Sequence, residues 1–104
     1  MRSPVNALRP FLVGETRRSL EQQAAEVFDL DQVKQTLTEY AALGMNSTRL
    51  SWDGLVDLQD TAAARALVEW AKANKLTLAW EPRSVTGPDG MTRRVCEPVL
   101  SWEA

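Results

Sequence analysis

A Leu-x-Trp tripeptide occurs at three places in this chain: Leu50-Ser51-Trp52, Leu78-Ala79-Trp80 and Leu100-Ser101-Trp102. Each closes a short run of strand-forming residues. Residues i and i+2 of a strand share a face, so each copy sets a Leu–Trp pair on one side. Three such strands pave one face of a small sheet and require something apolar to cover it. The intervening segments supply that cover, because they carry helical periodicity.

Residues 1–15 hold Pro4 and Pro10, which argue against helix. They are expected to form an N-terminal arm, with residues 16–104 as a single domain. The first helix is expected to begin near Thr16 or Ser19, with Leu20, Ala24, Val27 and Phe28 on one stripe. The paired acids Asp29 and Asp31 suggest a break and a new N-cap. Leu30, Val33, Leu37, Tyr40 and Ala41 then form the stripe of a second helix, which Gly44 ends in a left-handed conformation. Asn46–Trp52 is the first strand. Asp60 or Thr61 caps an alanine-rich helix to about Asn74, with Ala63, Ala66, Leu67, Trp70 and Ala71 inward.

Lys75–Arg83 and Thr92–Trp102 make a hairpin around a turn rich in Gly, Pro and Asp. Matching the apolar residues pairs Trp80 with Cys96, Leu78 with Pro98 and Leu76 with Leu100, and sets Arg83 opposite Arg93. Glu81, Arg83, Arg93 and Glu97 fall on the other face, expected to be wet. Pro98 cannot donate to a ladder, so the third strand is expected to be an edge or to carry a bulge. A helix between strands one and two has the length of a parallel crossover. The expectation is an α+β (α/β two-layer) fold: a small mixed three-stranded sheet, element order ααβαββ, strand order one-two-three, helices on one face.

Composition narrows the function classes. The chain has 104 residues, enough to bury roughly two-thirds of its unfolded surface in one core, and a net charge of −2 that favours neither a nucleic-acid binder nor a polyanion. It has no histidine and one cysteine, Cys96. The commonest general base and metal ligand are therefore missing, and no internal disulfide can form. No apolar run is long enough to span a membrane, and the N-terminus lacks a signal peptide's apolar core. These features point to the cytoplasm.

The sequence yields four constellations. Arg83, Arg93 and Arg94 flank the hairpin turn, a place for phosphate or acidic protein to bind. Arg17 and Arg18, at the positive end of a helix dipole, are better placed for a partner than for helix stability. Trp52 and Trp102 end the outer strands, where rings can stay half exposed. Asp53, Asp57 and Asp60 lie within eight residues but match no metal-binding loop, and turns and caps account for Asp53 and Asp60. Cys96 falls on the apolar face, where a thiol is inert. No catalytic set, metal site or cofactor motif is expected.

The expected function is that of a small non-enzymatic protein acting by contact with another protein. Its candidate contact residues are Arg83, Arg93, Arg94, Trp52, Trp102, Arg17 and Arg18, the residue types that dominate hot spots. Compact, cysteine-poor chains of this size are frequent among inhibitors and accessory factors of phages and mobile elements. The rival is a nucleic-acid-binding module whose arginine hairpin touches phosphates while Trp52 or Trp102 stacks bases. An enzyme using carboxylates is a poorer third. Strand 92–102, if an edge, offers a route to a homodimer.

Overall fold

The computed structural model describes the backbone of residues 4–52 and 54–102, with side chains from residue 8 onward. Asp53 and Glu103 lie outside the described residues. The elements are α1 (Pro4–Val27), α2 (Leu30–Ala42), β1 (Ser47–Arg49), α3 (Ala62–Ala73), β2 (Thr77–Thr86) and β3 (Thr92–Ser101). The expected α+β class, element order and one-sided helical layer are all present.

The two prolines do not keep residues 1–15 from helix, contrary to expectation. Pro4 opens α1 at the first helical position, where its missing N–H is not needed. Pro10 lies within α1, and the helix runs on past Thr16 and Ser19 without a cap. The expected stripe forms further along: Ala24 and Phe28 are buried, with Leu20 and Val27 partly buried beside them. Asp29 then leaves helical geometry (φ −60°, ψ 117°) and its carboxylate accepts the Asp31 N–H at 3.0 Å. That cap makes the expected break. Phe28, at the bend, meets Trp52 edge-on at 5.8 Å and Trp80 edge-on at 6.0 Å between ring centroids. One ring thus joins the helical layer to two of the three Leu-x-Trp copies, in the geometry aromatic quadrupoles prefer.

Both later helices end in Schellman geometry. After α2, Met45 N–H donates to the Tyr40 carbonyl and Gly44 N–H to that of Ala41, with Gly44 at φ +88°. After α3, Leu76 N–H donates to Ala71 and Lys75 N–H to Lys72, but here a lysine holds the left-handed position, at φ +59°. Thr61 is the N-cap of α3, accepting from Ala64 N–H at 3.2 Å and donating to the Leu58 carbonyl at 2.8 Å. The buried face of α3 is Ala64, Leu67 and Ala71, while Ala66, expected inward, is exposed.

The strand order is β1-β3-β2, not one-two-three. β1 and β2 both run antiparallel to β3, so they are parallel to each other but not neighbours. The β1–α3–β2 crossover therefore leaves a gap that β3 fills. The prolines show how β3 takes the centre. Pro82 has no N–H to offer, and β2, which carries it, lies at the edge. Pro98 lies opposite the end of β1, where its carbonyl still accepts the Leu50 N–H at 3.0 Å and the lost donor falls where the ladder stops. One residue pair further out, the Cys96 N–H is taken by the Asp57 carboxylate at 3.0 Å. β3 is therefore a central strand, paired with β2 along its length and with β1 over Val99–Ser101, rather than the expected edge.

The hairpin register is two residues from the expected one: Leu78 faces Leu100, Trp80 faces Pro98 and Pro82 faces Cys96. A slip of two keeps every side chain on its expected face. Leu50, Leu78, Trp80 and Leu100 accordingly all join the core under the helices. The turn sets the slip. It is centred on Asp89, whose carboxylate accepts the Met91 N–H, with Gly90 at φ +79°. Arg83 therefore faces Val95, and Arg93 faces Val85.

The left-handed Lys75 is strained by its Cβ, at a cost of about 1 kcal/mol. Lys75→Gly is expected to raise stability by roughly that amount, seen as an increase in Tm of about 4–8 °C for a domain of this size. An unchanged or lower Tm would contradict the Schellman assignment.

Candidate functional site

The face expected to be wet carries the most tightly held group in the sheet. Glu97, in the central strand, is fully buried. One carboxylate oxygen accepts from Arg83 Nε at 2.8 Å and the other from Arg49 Nη1 at 3.2 Å. Arg49 also reaches Glu81, and Arg83 Nη2 donates to the Trp52 carbonyl at 3.1 Å. Charge in a low-dielectric site is tolerable only when paired and hydrogen-bonded. Here both oxygens are paired by arginines from the flanking strands, with Arg49 on β1 and Arg83 on β2. Val85 and Val95 are also buried on this face, so it is wet only in part.

This network accounts for two candidate contact residues. Arg83 is half-buried and committed to Glu97. Trp52 is buried, its ring on Phe28, its indole N–H on the Val56 carbonyl at 3.1 Å and its carbonyl on Arg83. The other candidates lie apart. Arg93 bonds Asp89 at the turn at 2.8 Å. That bond first, and the Met91 N–H second, hold the Asp89 carboxyl below the usual aspartate range. Its contribution to stability is present above the ordinary aspartate pKa and is lost as pH falls through the lowered one. Arg94 is exposed and, alternating with Arg93, points to the opposite face of β3, with no ion pair among the described residues. Trp102 is half-buried at the far end of β3, its N–H on the Asn46 carbonyl. Arg17 donates to the Asp60 carbonyl at 3.1 Å, and Arg18 pairs with Glu15 one turn earlier. The structure thus joins Arg83 to Trp52 and brings no other pair of candidates together.

Of the three aspartates, Asp53 lies outside the described residues and the other two serve the body. Asp57 holds the Cys96 amide and Asp60 accepts from Arg65 at 3.4 Å. Among the described residues no group of three Cys, Asp or Glu side chains is placed to hold a metal ion. Cys96 is half-buried rather than sealed in the core. A polar groove of about 310 Å³ runs between α2 and β1, lined by Gln32, Thr36, Tyr40, Thr48 and Arg49 among others. Its cation is already engaged by Glu81 and Glu97.

The feature that sequence reasoning missed is on α1. Leu8, Phe11, Leu12 and Val13 are all at least half exposed, at 50%, 60%, 50% and 59%. With Arg9 and Thr16, Leu8, Leu12 and Val13 form one open, mostly apolar face of this helix. The helix is fixed to the body only from Arg17 onward. There Arg17 reaches Asp60, and the Glu21 carboxylate accepts the Ala62 N–H at 2.8 Å, capping α3 from outside. The half before that projects. The radius of gyration is 17.0 Å, against about 13 Å for a compact chain of 100 residues. The i, i+3, i+4 spacing of Leu8, Phe11 and Leu12 was visible in the sequence, but Pro10 in its midst argued for an irregular arm.

Comparison with known proteins finds no matching family model, no similar curated protein and no similar solved structure.

Removing Arg83 leaves Glu97 with one pair and the Trp52 carbonyl without its donor. Arg83→Ala is expected to cost about 3 kcal/mol in urea unfolding, while Arg94→Ala stays within about 0.5 kcal/mol. Equal small effects from both would show that the buried carboxylate does not hold the sheet.

Proposed function

We propose that this is a non-enzymatic protein that works by binding another protein, and that the projecting half of α1 is its contact surface. The observation that supports this is the run Leu8, Phe11, Leu12 and Val13, left open on a helix that leaves the body. Contiguous exposed apolar surface rimmed by polar groups marks interaction sites, whereas single exposed residues do not. Elsewhere among the described residues the exposed large apolar side chains are scattered: Leu43 and Met45 past α2, Val56 in a loop, Met91 at the turn. The spacing on α1 is that of helix-in-groove recognition.

The body offers less for recognition. Arg83 and Arg49 are held by Glu97, Arg93 by Asp89, and Trp52 by the core. With these cations engaged internally, few are left to contact a phosphate backbone, which supports a protein over a nucleic-acid partner. A role as an inhibitor or accessory factor in the cytoplasm fits a compact body that displays one helical arm. No described helix is long and apolar enough to cross a membrane.

The test compares two full-length variants as bait in lysate of the source organism. Phe11→Glu with Leu12→Glu is expected to lose retained partners at least tenfold and to leave Tm within error, because neither side chain is packed. Arg93→Ala with Arg94→Ala is expected to retain them. An arm variant that retains every partner refutes this assignment.

A further inference from the structure

We infer that the outer edge of β1 takes an extended peptide strand of a partner protein, a second contact that does not depend on the arm. The side chains of the body are largely engaged with one another, but the backbone at this edge is not. β1 lies at one border of the sheet. The Leu50 N–H donates to the Pro98 carbonyl and the Trp102 N–H to that of Asn46. These two bonds fix the phase of the strand. Asn46, Thr48 and Leu50 turn their backbone groups toward β3, while Ser47, Arg49 and Ser51 turn theirs outward. Among the described residues nothing bonds the N–H or the carbonyl of those outward three.

The other border of the sheet is less suited to pairing. The Gly87 N–H donates to the Met91 carbonyl, which turns the odd-numbered residues of β2 toward β3. The outward row of β2 therefore contains Pro82, which offers no donor at mid-strand. The row on β1 is uninterrupted.

The polar groove beside α2 runs along this same edge. Residues 48–51 form one wall, and Gln32, Thr36 and Tyr40, on successive turns of α2, form the other. Thr48 is buried, at 8% exposure, yet its hydroxyl has no partner among the described residues. It lines the groove, where an incoming polar group can engage it.

These observations select the occupant. Donors and acceptors recurring every second residue match another extended chain, and not a helix, whose backbone groups are used internally. Residues 47–51 present about 17 Å of edge, the length of a segment of about five residues. Its alternate side chains point toward α2 and meet hydroxyls and an amide, so polar ones such as Ser, Thr or Asn suit them. A second copy of this chain fits poorly. Full overlap of two such edges sets Arg49 opposite Arg49, and like charges directly opposed are unfavourable. Two edges this short also bury far less than the roughly 1,600 Å² typical of a stable protein pair.

The test screens the full-length chain against a random dodecapeptide library displayed on phage. Selected peptides are then made synthetically and followed by residue-resolved amide hydrogen exchange. Expected are peptides that slow exchange of the Ser47, Arg49 and Ser51 amides at least tenfold and leave those of Thr48 and Leu50, already bonded to β3, unchanged. Ser47→Pro removes one outward N–H at the start of the strand and no ladder bond. It is expected to weaken peptide binding at least tenfold with Tm within error, and Thr36→Trp, which fills the groove from α2, is expected to do the same. Phe11→Glu with Leu12→Glu is expected to leave peptide binding unchanged. Failure to select any peptide, or binding that leaves the outward amides as fast as before, overturns the edge as a site and does not touch the arm. Loss of peptide binding in the arm variant alone places the contact on α1 and overturns it too. Protection of the same amides on raising the concentration of the chain without peptide replaces the partner strand with a second copy and overturns the proposal.

Discussion

The buried carboxylate of Glu97 is the constraint on which the sheet depends. It lies in the central strand, and its two oxygens are held by one arginine from each flanking strand. That arrangement requires β3 to be in the middle, because only the central strand has two neighbours to supply cations. It also disfavours the register expected from the sequence, which sets Glu97 opposite Ala79 and further from Arg83. The same guanidinium reaches the Trp52 carbonyl, so the segment after β1 is fixed by the network that fixes the strands. Trp52 then delivers its ring to Phe28, and Phe28 receives Trp80. Charge on one face of the sheet and aromatic packing on the other thus act on the same strands.

The body that results is closed. Among its described side chains no buried polar atom lacks a partner. The arginines that looked available are largely used internally, as are the cap carboxylates Asp29 and Glu21 and the edge carboxylate Asp57. Such a body has little left with which to recognise anything. The projecting half of α1 is the opposite case, with apolar anchors uncovered and a glycine, Gly14, near its base. Because it continues a helix already nucleated and packed from Arg17 onward, it needs no nucleation of its own. Stability and recognition are therefore assigned to different parts of one helix.

How legible this was in the sequence varied with the physics involved. Period-two alternation placed Leu50, Leu78, Trp80 and Leu100 on one face, and period-3.6 spacing placed Ala24, Phe28, Val33 and Leu37 under the sheet. Asp29, Gly44 and Thr61 were readable from capping chemistry. Strand order was not, because local patterning says which face a residue takes but not which strand lies beside it. Pro98 seemed to force β3 to an edge; Pro82, equally unable to donate, was the one that took it. Glu97 was hidden by its own alternation, which assigns any acid among polar neighbours to the solvent. The arm was hidden by Pro10, which in the second turn of α1 removes an intrahelical hydrogen bond and yet does not end the helix.

The claim that the body is closed and the arm free is tested most directly by residue-resolved amide hydrogen exchange on the full chain in dilute solution. The account predicts that amides of residues 20–28 and 95–100 exchange only with global unfolding, while those of residues 8–14 exchange orders of magnitude faster through local opening. Protection of residues 8–14 equal to that of residues 20–28, at a concentration where the chain is monomeric, would contradict it.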